Sequence, residues 1–170
     1  MIYDKFLERT PKYDKRFAES LFDRLTQKGG GTQEKMRAQG KHFENNYELY
    51  IYAFFLGYYN ESRLAFGAAK KTDFSHPIGK WGFKGNSLER KNHTWVQQAL
   101  FYVAVNECGV DPLDYDKGLI DTTEYIKALI NVIEEYTNGG LFFLEGRIEE
   151  GLNLIRSDIF LDLMVSSTAK

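Results

Sequence analysis

Residues 45–60, NNYELYIYAFFLGYYN, decide the fold that the sequence predicts. As a helix, this stretch has apolar or aromatic side chains on nearly every face, and Glu48 is its only acid. A helix that is hydrophobic all round is a buried one. We therefore predict the central helix of an all-α fold here. Glu48 is the one residue of the stretch that its composition leaves unexplained.

Apolar residues keep helical spacing upstream of this stretch as well. Residues 13–27 form an amphipathic pattern, which ends at the glycines 29–31. A second pattern runs into the central stretch and predicts one helix from about 33 to 59, unless Gly40 breaks it. These patterns predict two helices before residue 60.

Further helices are predicted in the C-terminal half. Residues 92–108 carry a broad apolar face that Gly109 ends, and Asp121 begins a capping box for the next helix. The triplet Asn138-Gly139-Gly140 is expected to end that helix. Two shorter helical patterns follow, the last of them from Asp158 to Val165. This half therefore adds three or four helices.

The chain is predicted to fold as one all-α domain over 1–170, a bundle of five or six helices. Its length fits one domain, and its 43% hydrophobic and 27% charged residues are typical of a globular protein. Residues 1–12 and 166–170 are expected to be frayed ends.

A long ordered loop is predicted at about 64–85. This segment loses helical periodicity and contains several glycines and Pro77. Its aromatic residues favour order, because a disordered linker rarely carries so many: Phe66, Phe74, Trp81 and Phe83. A small β-hairpin within 64–84 is an alternative for the same residues.

The sequence favours a cytoplasmic protein without a membrane segment. The longest strongly apolar run, 49–59, is about half as long as a bilayer-spanning helix needs. The first residues lack the apolar core of a signal peptide. A single cysteine, Cys108, excludes an internal disulfide and is compatible with a reducing compartment.

The two halves of the chain differ in charge. Residues 1–91 hold 17 Lys and Arg against 11 Asp and Glu, whereas residues 92–170 hold 5 against 13. This asymmetry indicates a basic surface for nucleic acid or an acidic partner. Alternatively, the two halves pack against each other and neutralise their charges.

Motifs for catalysis or metal binding remain incomplete. Gly79-Lys80 lacks the rest of a phosphate-binding loop, and the acids from Asp114 onward lack the Gly and Glu that an EF-hand requires. The three histidines do not have the spacing of metal ligands. We therefore predict no cofactor and no metal, and we place a non-enzymatic role ahead of an enzymatic one.

Residues 70–91 are the first candidate for a binding site. Basic and aromatic side chains alternate there, a combination that suits phosphates and unpaired bases. The predicted binding residues are Lys70, Lys71, His76, Lys80, Trp81, Phe83, Lys84, Arg90 and Lys91. The alternative is a solvated loop whose aromatic side chains fill the core. A second candidate is a buried polar site or structural ion pair at Glu48 and Tyr52.

Three functions are compatible with these patterns. The first is a non-enzymatic accessory or adaptor domain that binds nucleic acid or an acidic partner through the basic N-terminal half and the 70–91 loop. The second is a protein–protein interaction subunit, with a homodimer as one form, that uses exposed tyrosines and the acidic C-terminal half. The third is an enzyme of unfamiliar type, centred on Glu48, Tyr52, Asp73, His76 and Lys80.

Overall fold

The computed structural model of the protein describes residues 1–27, 32–82 and 93–169. Helices dominate these residues, which confirms the predicted all-α class. The helices are α1 (Ile2–Leu7), α2 (a π-helical turn Ala18–Phe22 continued by Asp23–Leu25), α3 (Gln33–Ala38), α4 (Asn46–Tyr59), α5 (Thr94–Glu107), α6 (Pro112–Asp116), α7 (Thr122–Glu149) and α8 (Ile159–Thr168). Two short strands, β1 (Tyr13–Asp14) and β2 (Lys71–Thr72), pair antiparallel.

The chain forms two compact units, and each combines segments from both halves of the sequence. Unit 1 contains Met1–Lys12 and Asp73–Glu134, and unit 2 contains Tyr13–Thr72 and Glu135–Lys170. The earlier expectation of one domain over 1–170 stays a prediction. Helix α7 contributes its first residues to unit 1 and its last residues to unit 2.

Unit 1 is built around α1, α5 and the start of α7. The Phe6 ring, fully buried, lies edge-on to Phe101 with ring centroids 5.3 Å apart. Asp121 begins α7 as predicted, because its Oδ1 accepts hydrogen bonds from the N–H groups of Thr123 and Glu124 at 2.7 and 3.0 Å. Asp111 begins α6 in the same way through Leu113.

Unit 2 is built on a close crossing of α4 with the second half of α7. A Cβ atom placed on Gly140 would collide with the carbonyl oxygen of Ala53, and one on Gly57 with that of Tyr136. A Cβ on Gly139 would meet the carbonyl oxygen of Ser62, just after α4. Since side chains normally hold helix axes about 8–10 Å apart, glycines permit a closer approach. The crossing therefore requires glycine at all three positions.

The helix end predicted at 138–140 is wrong, because this crossing holds those residues inside a helix. Helix α7 continues through those residues to Glu149. Glycine is unfavourable inside a helix by about 1 kcal/mol relative to alanine, which is why the triplet resembles a stop signal. Here the packing of α4 against the glycines offsets that cost.

Other predicted boundaries are also wrong. The helix expected over 33–59 is two helices, because Gly40 has a left-handed φ of +76° and lies against Leu154, where a Cβ would be 3.2 Å from that residue's own Cβ. The hairpin expected within 64–84 does not form among the described residues, since β2 pairs with β1 instead. The ends expected to fray include α1 and the last turn of α8, where Ser167 is buried.

Candidate binding site

The predicted binding residues that the structure describes are divided between the two units. Lys70 and Lys71 belong to unit 2, whereas His76, Lys80 and Trp81 belong to unit 1. The other four lie outside the described residues: Phe83, Lys84, Arg90 and Lys91. The five that can be located are described below within their own units.

Trp81 is a core residue of unit 1. It is 3% exposed, and its indole Nε1 donates a hydrogen bond to the carbonyl oxygen of His76 at 3.0 Å. Its ring centroid lies 5.9 Å from that of Phe74. The neighbouring turn at 78–80 is fixed by Gln97, whose Nε2 donates to the carbonyl oxygen of Ile78. The indole therefore anchors the loop, and its face is not available for stacking on a base.

His76 and Lys80 are exposed in the same loop of unit 1. The Nδ1 atom of His76 lies 2.6 Å from the carbonyl oxygen of Phe74, so this ring nitrogen is occupied by a local backbone contact. Asp73, also in the enzyme hypothesis, accepts a hydrogen bond from the N–H of Ser75 at 2.7 Å, as in an Asx turn. These polar groups make local contacts that shape the loop.

Glu48 and Tyr52 have structural partners in unit 2. The Oε2 atom of Glu48 accepts a hydrogen bond from the N–H of Glu44 at 2.8 Å, just before α4 begins. An acid in the first turn of a helix is also favoured by the helix dipole. The Tyr52 hydroxyl donates to the carbonyl oxygen of Phe160 at 2.8 Å, and burial raises the pKa of this phenol. The unexplained acid of α4 is therefore a helix-start residue.

The pairing of β1 with β2 brings lysines together in unit 2. Asp14 pairs with Lys71, and one residue further the N–H of Lys15 donates to the carbonyl oxygen of Lys70 at 2.8 Å. Lys15 and Lys70 thus lie opposite each other, although 55 positions separate them in sequence. Like charges opposite each other on neighbouring strands are unfavourable. Both side chains are exposed, so an anion bound beside them would relieve this repulsion.

Arg16 extends this group of positive charges. Its guanidinium carbon lies 4.4 Å from the centre of the Phe17 ring and 5.4 Å from that of Phe142. Its Nη2 donates to Glu145 at 3.0 Å, and the Ser20 hydroxyl donates to the same carboxylate at 3.0 Å. Only one of the five guanidinium N–H donors is needed for Glu145. The ring contacts and the bond to Glu145 hold the Arg16 side chain in place. Since this side chain is 49% exposed, its remaining donors can reach a ligand.

We call Lys15, Arg16, Lys70 and Lys71 the basic surface of unit 2. Because successive strand residues project to opposite faces, Lys15 and Lys70 lie on one face of the ladder and Lys71, which pairs with Asp14, lies on the other. Beside the basic surface lies a cleft of about 180 Å³. Phe17, Phe66 and Phe142 supply its aromatic walls, and Asp14, Arg16 and Asn138 supply polar groups. The ammonium of Lys71 lies 4.4 Å from the centre of the Phe66 ring, so the basic surface reaches the edge of the cleft.

The charge asymmetry between the halves of the sequence does not separate the two units. By composition, unit 1 contains 9 Lys and Arg with 11 Asp and Glu, and unit 2 contains 13 of each. Each unit mixes basic residues from the first half with acidic residues from the second. Positive charge in unit 2 is therefore concentrated locally, at places such as the basic surface.

Several residues of this site were missed by sequence reasoning. Arg16 stands at the edge of an amphipathic pattern, and nothing local connects it with Lys70. Asn138 and Phe142 lie one turn apart on α7, but the triplet at 138–140 predicted a helix end there. The apolar residues Ile133, Leu141 and Leu144 keep helical spacing through the triplet, and this signal favoured a continuous helix.

No protein family, characterised protein or solved structure that we compared with this chain matches it. Among the described helices, none is both long and apolar enough to cross a membrane. Within the same residues, no three His, Cys, Asp or Glu side chains are grouped so that they could hold a metal ion. The function is therefore argued from the site alone.

Proposed function

We propose that this protein is a non-catalytic binding module that takes an acidic partner on the basic surface of unit 2. The observation that carries the proposal is the pairing of β1 with β2, which sets Lys15 and Lys70 side by side next to Arg16 and Lys71. Four cations from two distant segments surround a single short ladder. Clustered cations of this kind attract carboxylates and raise the rate of encounter with acidic partners.

An acidic protein segment fits this surface better than a nucleic acid. Nucleic-acid-binding domains carry a strong excess of positive charge, whereas the sequence of unit 2 has equal numbers of acidic and basic residues. Asp14 and Glu145 also lie among the cations. In addition, the indole of Trp81 is buried, which removes one predicted stacking platform.

The test is a binding titration with a fluorescent polyglutamate peptide and a fluorescent oligothymidylate. We expect salt-sensitive binding of polyglutamate, weakened about five- to thirtyfold in Lys15→Ala/Lys70→Ala because each of the two charge pairs contributes about 0.5–1 kcal/mol. The matched control is Lys117→Ala/Lys127→Ala, which removes two exposed lysines from unit 1. Equal losses in both variants, or tighter binding of oligothymidylate, would overturn the proposal.

A second candidate, self-association, is favoured by an exposed aromatic face on α5. Trp95 and Tyr102 are 68% and 63% exposed, and seven residues of helix place them on the same side. Large exposed aromatics are enriched in protein interfaces. Sedimentation equilibrium of the wild type and of Trp95→Ala/Tyr102→Ala tests this: a dimer that the variant abolishes supports it, and a wild-type monomer eliminates it.

A further inference from the structure

We infer that the cleft of unit 2 binds one aromatic side chain of the acidic partner, so that the recognised segment is an aromatic residue flanked by acids. This inference rests on the proposed function and names the partner's chemistry. It concerns the cleft beside the basic surface, between α7 and the segment that follows α4.

The size of the cleft fits one six-membered ring. Its volume of about 180 Å³ is close to that of an engineered cavity of about 150 Å³ that binds benzene. Drug-sized ligands occupy pockets of about 300–1,000 Å³, so this cleft is too small for a cofactor-sized molecule. A single side chain of a longer partner is an occupant of the right size.

The cleft has both apolar and polar walls, and its apolar side chains are partly open to water. Phe142 is 54% exposed and Leu64 is 38% exposed, while Phe17 lies buried at the base. Burying the two exposed side chains under a ring would remove apolar surface from water, which is favourable. Three phenyl rings around one space also favour an aromatic occupant over an aliphatic one, because aromatic pairs gain from edge-to-face contacts.

The polar groups of the cleft are already fixed by the protein. Asn138 donates from Nδ2 to the carbonyl oxygen of Leu64 at 3.2 Å, which holds the segment after α4 against α7. The N–H of Leu64 donates to the carbonyl oxygen of Glu135 at 3.1 Å. Because both walls are tied together, the cleft is formed before a partner arrives, and little ordering is needed on binding.

Charge complementarity determines which residues should flank the inserted aromatic residue of the partner. Arg16 contributes to the lining of the cleft, and Lys71 lies on the ring of Phe66 at its edge. Acidic residues next to the inserted aromatic would therefore meet these two cations, at positions away from Asp14, the one acid that lines the cleft. A hydrophobic anchor with a charged rim is the usual division of roles in an interface.

The inference is tested with fluorescent peptides of glutamates that carry one central residue, either Phe, Leu or Ala. We expect the Phe peptide to bind the wild type about tenfold or more tightly than the Ala peptide, with the Leu peptide between them. The variant Ala65→Leu should abolish that preference, because it fills the cleft from an exposed position that lines it. Binding of the Ala peptide should remain unchanged.

Three other outcomes would overturn the inference. If all three peptides bind equally and in a salt-sensitive manner, the aromatic anchor is wrong while the proposed function stands. If none binds, both fail together. If Ala65→Leu leaves the preference for Phe intact, the ring lies elsewhere. Because Ala65→Leu must remain folded for this result to count, its thermal unfolding is measured in parallel, and Phe142→Ala provides a second cleft variant that enlarges the space.

Discussion

Two faces of the second half of α7 differ in how tightly they are packed. On one face, Gly139 and Gly140 leave no room for a methyl group against the backbone of Ser62 and Ala53. On the other, Asn138 and Phe142 line an open cleft of about 180 Å³. A single short sequence, NGGLF, therefore serves both the core and the proposed binding surface.

The difference predicts that substitutions on the two faces of this helix act separately, on stability on one face and on the proposed binding on the other. On the glycine face, any added atom displaces a backbone segment, so substitutions there should affect the fold as a whole. On the cleft face, Phe142 is 54% exposed, so its substitution should affect ligands more than folding. The following variants test this separation through their stability and their binding of peptides.

Gly140→Ala should cause the largest loss of stability, roughly 3 kcal/mol or more. The new Cβ would collide with the carbonyl oxygen of Ala53 and lie 2.9 Å from the amide nitrogen of Gly57, so two helices would have to move apart. Gly146→Ala is the matched control on the same helix, since its Cβ would meet nothing within 4 Å. There we expect a gain of about 0.5–1 kcal/mol. Urea denaturation measures both, and a small loss for Gly140→Ala would contradict the close crossing.

Leu144→Ala and Phe142→Ala should separate the two faces by their effects on stability. Leu144 is fully buried, and truncating a buried leucine costs about 2–5 kcal/mol. Phe142 is 54% exposed, so its truncation should change stability by less than about 1 kcal/mol. Thermal unfolding and titration with the Phe peptide are measured on both variants. A Phe142→Ala protein that is as unstable as Leu144→Ala would mean that the cleft is part of the core.

Tyr52→Phe should cost about 1 kcal/mol, because it removes the hydrogen bond to the carbonyl oxygen of Phe160. It should also alter the response to alkali. Burial raises the pKa of Tyr52 above its ordinary value of 10.0. Above pH 10 the unfolded chain therefore releases this proton while the folded protein keeps it, and stability falls as the pH rises.

Tyr52→Phe should lose less stability than the wild type between pH 10 and the higher pKa that Tyr52 has in the folded protein. Urea denaturation at each pH measures this difference. Tyr59→Phe, at a 42% exposed position near the end of the same helix, is the control and should behave like the wild type. Identical pH profiles for Tyr52→Phe and the wild type would show that this phenol is not buried as described.

Lys70→Glu should have the smallest effect on stability, a gain of roughly 0.2–1 kcal/mol. It replaces two opposed lysines with an opposite-charge pair across the ladder. The same substitution should weaken the binding of polyglutamate more than Lys70→Ala does, since it also adds a repulsive charge. A loss of stability in Lys70→Glu at low salt would show that Lys15 and Lys70 do not face each other as the ladder implies.

The all-α class could be predicted because periodicity is a local property. The stretch at 45–60 is apolar on every face, and the structure buries Leu49, Tyr50 and Phe54 within α4. Asp121 was predicted to begin a helix for an equally local reason, since its side chain bonds to N–H groups two and three residues further on. Trp81, named as a binding residue, is buried, which agrees with the alternative of a loop whose aromatic side chains fill the core.

The candidate site could be predicted only in part. Lys70 and Lys71 were found because they stand in a basic run, but their neighbours Lys15 and Arg16 come from another segment. Antiparallel pairing of two-residue strands leaves almost no pattern in a sequence, because two residues are too few to show alternation. Phe142 was not predicted as part of the site, because the glycines before it predicted the end of a helix. Glycine lowers helix propensity by the same amount whether it ends a helix or permits a close crossing.

The sequence by itself determined the all-α class, that a helix begins at Asp121 and that α4 is buried, because these depend on side chains a few positions apart. Only the tertiary structure decided that Gly139 and Gly140 lie inside a helix and that Gly40 interrupts one, since both depend on backbone contacts with distant segments. It also decided which lysines stand together. Charge repulsion and apolar burial act through space, and residues 15 and 70 become neighbours only when the ladder forms.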